Sequence, residues 1–490
     1  MEQVMATIKL SALYPEIVLT VFALLILMLQ AFNSLRYKEY YGYLTLVGVL
    51  AAIGFVVSQP AGFDMRVVEY TFSNMWVVDN YSRFFKLIFL LGTGLTILIS
   101  MKYLEHEEIQ YGEYFALVLF ATVGMMIMAS GAELITIFLG LEVMSVSLYV
   151  LAGYTRTRLE SNEAALKYYV LGSFAAGFLL YGIALIYGST GSTEIKSIAK
   201  FVATSGLRSP TMIMGMALLV IGFGFKAALV PFHMWTPDVY EGAPAPITAF
   251  MSAGPKAAAF AAFVRIFMEA LPSLQVEWTA LIWIIAALTM TVGNVIALVQ
   301  DNIKRMLAYS SIAHAGYVMV AFLAAGELGI PSIMYYMLTY TFMNIGAFAI
   351  ITVLGGRGEQ RVRIQDYKGL GYSNPYAAVA MSLFLFSLAG IPPTGGFMGK
   401  FYIFSAAIKE GFIGLAIIGV INSVVSVYYY LRVTIAMYME GTSAAAGAEG
   451  QLAFSPAIIL AIFISAYGVL SLGLFPATYV AIAKLSHLAL

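Results

Sequence analysis

Long apolar runs separated by short polar breaks dominate the chain. A membrane-spanning helix takes about 20 mostly apolar residues, because the hydrocarbon core is about 30 Å thick. On that measure spans are predicted over 12–32, 41–58, 82–101, 113–129, 132–151, 164–187, 210–230, 244–270, 279–300, 303–325, 331–354, 375–408, 411–437 and 455–480, fourteen in all. The first run is read as a span and not as a signal peptide, since no small-residue cleavage site follows it. The longest gaps, 59–81, 188–209, 355–374 and 438–454, hold about 20 residues each, too few for an inserted soluble domain or an ATP-driven motor. The pattern predicts an all-α polytopic membrane protein.

Composition agrees. Of 490 residues 61% are hydrophobic and only 11% are charged, with 26 Lys+Arg against 26 Asp+Glu. A soluble domain carries about 25% charged residues. The chain has no basic excess or cluster for nucleic acid, and no cysteine for disulfides, thiolate zinc sites or protein-ligated iron–sulfur clusters. Basic residues in short loops orient a membrane protein. With both termini outside, the inside loops hold twelve Lys/Arg, among them Arg36, Arg156, Arg158, Lys304, Arg305 and Arg432; the outside holds seven, among them Lys9, Arg66 and Arg208.

The informative residues are ionisable groups that fall inside spans, where a charge costs at least about 2.5–3.5 kcal/mol. Five stand out: Glu142, Lys226, Lys256, His314 and Lys400. In GLEVMSVSLYVLAGY (140–154), Ser145 and Tyr149 share the helix face of Glu142, while Glu133 is half a turn out of phase and interfacial. Glu142 is equally readable as half of a structural ion pair. Lys226 lies in IGFGFKAALVPFHMWTPDVYEGAPAP (221–246), where Pro231 cannot donate to the carbonyl of Ala227. A helix broken inside a membrane is tolerated only against protein or a wet cavity. Lys256 follows Gly254-Pro255 in FMSAGPKAAAFAAF (250–263), which repeats the device. His314 shares its face with Ser310, Ser311 and Tyr317 in AYSSIAHAGYVMV (308–320). Lys400 follows SLAGIPPTGGFMG (387–399), whose Pro392, Pro393, Gly395 and Gly396 predict a second discontinuous helix. Two interrupted helices in separate halves point to a conduction site and an inverted repeat. The register is imperfect: Lys226 precedes Pro231 by five residues, whereas Lys400 follows Pro393 by seven.

Other candidates carry less. GGFMGKF (395–401) is one residue short of a phosphate loop and lacks the following Ser/Thr. GGRGEQR (355–361) reads as a short inside loop. With four histidines and no pairing motif, a haem between His233 and His314 is not supported.

Alternating Glu and Lys beside broken helices suits proton movement better than solute binding. A buried lysine gives up its proton more easily, and a nearby carboxylate restores it. At about 7 Å and an effective dielectric of about 20, a Glu142–Lys226 pair is worth about 2.4 kcal/mol. Moving one charge against about 150 mV takes about 3.5 kcal/mol. A pump built here has to rewet the site or relay charge through several lysines.

At these residues the chain resembles the antiporter-like membrane subunits of respiratory complex I, most closely those of the N type. The resemblance runs from about residue 80 to 435, through GLEVMSVSLYVLAGY, FKAALVPFHMWTPDVYEGAPAPITAFMS, KRMLAYSSIAHAGY and AGIPPTGGFMGKFYIF. It implies an antiporter-like fold with two inverted five-helix repeats over 113–270 and 279–437, preceded by three helices in 1–112 and followed by one in 438–490. It implies proton translocation driven by quinone reduction in partner subunits. Glu142 would be the helix-five carboxylate, Lys226 its helix-seven partner, Lys256 and His314 the central relay, and Lys400 the exit-side lysine. Flavin, iron–sulfur clusters and quinone would belong to partner subunits, with none in this chain. The expected neighbours are the antiporter-like M subunit and small K- and J-type subunits, in a bacterial plasma (inner) membrane. The alternative is a D-type subunit of a multisubunit Na⁺/H⁺ antiporter or a membrane-bound hydrogenase, which shares the broken helices and lysines.

Overall fold

The structure, a computed structural model, describes residues 9–32, 38–59, 68–205, 209–439, 441 and 454–486. Arg36, Arg66 and Arg208, counted above toward orientation, lie outside these. Thirteen helices among the described residues are long and apolar enough to cross a membrane. They are α1 (Tyr14–Phe32), α2 (Tyr40–Ser58), α3 (Asn80–His106), α4 (Gly112–Ser130), α5 (Leu134–Ala152), α6 (Leu159–Thr190), α7 (Pro210–Ala227), α8 (Ala245–Arg265), α9 (Gln275–Ala297), α10 (Ile303–Leu323) and α11 (Gly329–Leu354). After the two short helices α12 (Pro375–Ala389) and α13 (Gly395–Lys409), which share the expected span 375–408, come α14 (Ile413–Met439) and α15 (Pro456–Leu474). A small hairpin, Glu69–Thr71 with Trp76–Val78, precedes α3.

Many starts are written in the sequence. Asp79 caps α3 in a box with Ser82. Ser209-Pro210, Asn374-Pro375 and Ser455-Pro456 open α7, α12 and α15, the capping oxygen taking an orphan N–H and proline filling the first helical position. Asn302 accepts from the Lys304 and Arg305 N–H groups at the start of α10.

Burial sorts the helices into a core and a rim. α3, α8, α10 and α11 are enclosed nearly all round, and every residue of α8 is buried. The alanines of 257–262 let neighbours approach α8 closely. α1, α2, α6, α14 and α15 each keep an apolar face outward, as helices in contact with lipid or another apolar surface do.

Polar clusters tie the helix ends together. At one end Arg265 donates to Asp79 (3.1 Å), to the carbonyl of Ala129 (3.1 Å) and to Glu269 (3.0 Å), joining α3, α4 and α8. At the other, Glu359 gathers Tyr103, Arg158, Lys304 and the backbone of Ala245. All of these belong to ends that alternation of the spans assigns to one side. Two orientation counts are corrected here. Lys304 is not a solvated loop residue but is fully buried at the start of α10. Arg432 lies within α14 and donates to the carbonyls of Leu298 and Gln300, just past the end of α9.

Both expected helix breaks are present, and they are built alike. α7 ends at Ala227; Ala228 is left-handed (φ 61°), and the Ala228 and Leu229 N–H groups turn back to Gly224 and Phe225. α12 ends at Ala389; Gly390 is left-handed (φ 86°), and the Gly390 and Ile391 N–H groups turn back to Phe386 and Ser387. This is the usual way of closing a helix C-terminus. Side chains stitch the freed backbone: Thr289 of α9 accepts from the Val230 N–H (3.0 Å), and Ser387 from the Gly396 N–H (3.1 Å). Gly254-Pro255, which resembles the first break in sequence, does not interrupt α8, which runs through Pro255.

Two outcomes test this account through the amount and thermal stability of the assembled protein. A Cβ on Gly396 would lie 1.8 Å from the Ser387 carbonyl oxygen. Gly396→Ala is expected to destabilise by about 3 kcal/mol or more, whereas Gly177→Ala, with nothing within 4 Å in mid-α6, gains up to about 1 kcal/mol. Thr289→Val orphans the Val230 N–H and is expected to cost about 1–3 kcal/mol.

Candidate functional site

Lys226, Lys256, His314 and Lys400 are between 2% and 5% exposed, so none reaches solvent. Each ammonium is solvated differently. Lys226, one residue before the end of α7, donates among the described residues to one oxygen, the Tyr149 hydroxyl at 3.3 Å. Around it stand the rings of Tyr168 (5.1 Å), Tyr149 (5.2 Å) and Phe225 (5.7 Å), distances at which the negative faces of aromatic rings attract a cation. Tyr168 stacks on Trp235 from the segment after the break, whose indole N–H donates to the Phe225 carbonyl (2.9 Å). The break in α7 thus folds back to wall in its own lysine.

Glu142 is half-buried on α5, two turns before Tyr149 on the same face. Its Oε1 is buried without a hydrogen-bond partner among the described residues, and it makes no direct ion pair with Lys226. A closed structural ion pair, the competing reading of Glu142, is not what the geometry forms.

Lys256 in the middle of α8 donates to both the carbonyl (2.7 Å) and the hydroxyl of Ser311 on α10. One turn along α10, His314 bonds through Nδ1 to the Tyr336 hydroxyl and through Nε2 to the Tyr430 hydroxyl (3.1 Å), which also pairs with Ser310. The Tyr317 and Tyr340 rings complete its pocket. Lys400 on α13 reaches back across the second break to the carbonyls of Leu388 (3.0 Å) and Ala389 (2.9 Å) and to the Ser423 hydroxyl (3.0 Å), with the Tyr317 ring at 5.0 Å. The carbonyl end of α12, negative by the helix dipole, is a natural seat for that charge. Lys226 stands two residues before the left-handed Ala228, and Leu388 two before the left-handed Gly390. The imperfect register of the two lysines therefore has a geometric meaning: the first break carries its lysine, while the second offers a carbonyl at that place and receives the lysine from the following helix.

Lys256 meets Ser311 one turn from His314 on α10, the Tyr317 ring lies against both His314 and Lys400, and Lys226 has its own wall of Tyr149, Tyr168 and Trp235. Several members were not picked out in the sequence. Tyr336 and Tyr430 come from apolar stretches with no distinguishing pattern. Asn294, which donates to Tyr317 (3.2 Å) and accepts from Tyr429 (2.9 Å), lies in an otherwise apolar α9, a signal that was available. Glu359, in the segment read as a plain loop, is 5% exposed and accepts from Tyr103 (2.7 Å), Ala245 N–H (2.6 Å) and Lys304 (2.7 Å), with Arg158 at 3.4 Å. Burial pushes this carboxyl up, but Lys304, Arg158 and the hydrogen bonds together hold it below the usual carboxylate range. No group of three or more His, Cys, Asp or Glu side chains converges among the described residues.

Residues 131–426 match the family described as NADH:quinone oxidoreductase/Mrp antiporter, TM. The chain is 52% identical over 488 residues to NADH-quinone oxidoreductase subunit N of Trichlorobacter lovleyi, covering 98% of both chains. It is 45% identical over 463 residues to NADH-quinone oxidoreductase subunit N 1 of Solibacter usitatus, covering 94% of both. A chain of respiratory complex I from Thermus thermophilus with bound aureothin superposes with a TM-score of 0.80 at 33% identity, over 96% of this chain and 99% of that one. A chain of the Mrp complex from Dietzia sp. superposes with a TM-score of 0.83 over 98% of this chain and 97% of that one, but at 21% identity it shows a shared fold alone. The chain belongs to the NADH:quinone oxidoreductase/Mrp antiporter transmembrane family, and within it to the subunit N group of NADH-quinone oxidoreductase.

Proposed function

We propose that this chain is a proton-translocating membrane subunit of a respiratory NADH-quinone oxidoreductase and takes no part in the redox steps. Quinone reduction in partner subunits, which hold the flavin and iron–sulfur clusters, would drive protons through Glu142, Lys226, Lys256, His314 and Lys400. The M-type antiporter-like subunit and small K- and J-type subunits are the expected neighbours, in a bacterial inner membrane with both termini on the outer side. The repeats would span 113–270 and 279–437.

The observation that carries this reading is the graded solvation of one buried series of cations. Lys226 has one phenolic oxygen and three rings; Lys256 and Lys400 have backbone carbonyls as well as hydroxyls. Charged hydrogen bonds are worth about 1.5–3 kcal/mol each and an aromatic face about 0.5–2 kcal/mol, so these lysines are solvated by different kinds of group. Glu142, whose buried Oε1 has no hydrogen-bond partner among the described residues, would exchange a proton with Lys226. Tyr149, Ser311, Tyr336 and Tyr430 each carry a hydroxyl able to accept one proton while donating another. A passive scaffold would have no use for unequal solvation.

In the assembled complex in sealed vesicles, Lys226→Ala or Glu142→Ala is expected to lower electron-driven proton pumping by about tenfold or more, taking a lost proton-transfer group as worth at least about 10² at its own step. Subunit content should be unchanged. Wild-type pumping in a fully assembled variant would favour a scaffold.

A further inference from the structure

The Gly-rich segment between α11 and α12 is built as more than a connection. Gly356 and Gly358 have φ of 70° and 69°, and Glu359 itself has φ of 53°. A buried, non-glycine residue in the left-handed region is strained by about 1–3 kcal/mol and persists only where its surroundings hold it. What holds Glu359 is its carboxylate. Oε1 accepts from the N–H of Ala245, the first residue of α8, and from Tyr103 of α3; Oε2 takes Lys304, the second residue of α10, with Arg158 from the α5–α6 link. Lys304 also donates to the Ala243 carbonyl just before α8 (2.7 Å). Around this, the Ile303 N–H donates to Val362 and the Ile364 N–H to Asp301, both at 2.8 Å, so the segment is laced to the start of α10.

α8 and α10 are the helices that meet at Lys256 and Ser311, and they touch each other over only a short stretch. Polar ties at two levels set their relative height: the Lys256–Ser311 contact at mid-length, and at one end the Glu359 carboxylate together with the Lys304–Ala243 bond. Ser311 lies seven residues beyond Lys304, about 10 Å along α10, and Lys256 eleven beyond Ala245, about 16 Å along α8. A tilt or slide of either helix released at that end reaches the relay directly. A hydrogen bond to Ser311 tolerates only a few tenths of an ångström before it is lost.

We propose that Glu359 is a positioning residue of the proton relay: by gripping the starts of α8 and α10 with one carboxylate it holds Lys256 in register with Ser311. The grip spans both halves of the chain, since α8 closes the first and α10 lies in the second. This inference rests on the relay reading above.

The test is the ratio of protons pumped to electrons transferred by the complete respiratory complex in sealed vesicles, measured for Glu359→Gln, Glu359→Asp, Tyr103→Phe and, as a control, Lys256→Ala. A role in stability alone lowers the amount of assembled complex without moving the ratio per complex. The expected result is at least a twofold fall in that ratio for Glu359→Gln, with a smaller fall for Tyr103→Phe, which removes one bond and keeps the charge, and partial recovery in Glu359→Asp. If Glu359→Gln does not assemble, Tyr103→Phe and Glu359→Asp decide by the same ratio. Wild-type ratios in the Glu359 and Tyr103 variants that assemble, with Lys256→Ala impaired, overturn the positioning role and leave the relay standing. A wild-type ratio in Lys256→Ala overturns the relay reading itself.

Discussion

An ammonium buried among apolar helices must be met by oxygen, and a regular helix offers little, because each carbonyl already accepts from its own helix and has at most one lone pair left, as Ser311 gives to Lys256. That constraint organises this molecule. Oxygen becomes available where a helix stops, where a hydroxyl side chain lies alongside, or where a carboxylate is brought in. Lys400 uses the first device, with two carbonyls from the end of α12 and the Ser423 hydroxyl. Lys256 uses the second at Ser311. Lys304 uses the third at Glu359, together with the Ala243 carbonyl. Bonds of this kind, at about 1.5–3 kcal/mol each, offset the cost of at least about 2.5–3.5 kcal/mol of placing a charge at membrane depth. Lys226 has the fewest such bonds and leans instead on aromatic faces.

The helix breaks then have two consequences. They leave backbone groups that need partners, which Thr289 and Ser387 supply. They also fold the following segment back over the break, so that Trp235 walls in Lys226 while α13 carries Lys400 to the carbonyls of α12. The same closing pattern at Ala228 and Gly390 thus produces two different cation sites. They differ in what meets the ammonium: rings and one phenol at Lys226, two carbonyls and a hydroxyl at Lys400.

Legibility in the sequence followed the range of the physics. Span positions come from local apolarity and were readable throughout; the break at Pro392-Pro393 was readable because prolines and glycines cannot continue a helix. Pro255 was misleading: a helix enclosed on all sides keeps its course through a proline when its neighbours hold it, as α8 does. Lys304 was counted as a loop charge because it sits at a span boundary. Its burial depends on Glu359, 55 residues away, and no local pattern reports that distance. Glu359 itself was hidden in a loop-like string whose glycines signalled a turn and nothing about what the turn delivers.

By itself the sequence determined a polytopic helical membrane protein with two interrupted helices and five ionisable groups out of place, because apolarity, proline geometry and the cost of burying charge act within a single segment. The tertiary structure decided which of those groups touch: Lys256 with Ser311, His314 with Tyr336 and Tyr430, Lys400 with the end of α12, and Lys226 with Tyr149 in place of an ion pair to Glu142. It also decided that a turn between α11 and α12 would grip the ends of α8 and α10. Those contacts join residues far apart in the chain, and their strength depends on distances of a few ångströms that only the packed bundle sets.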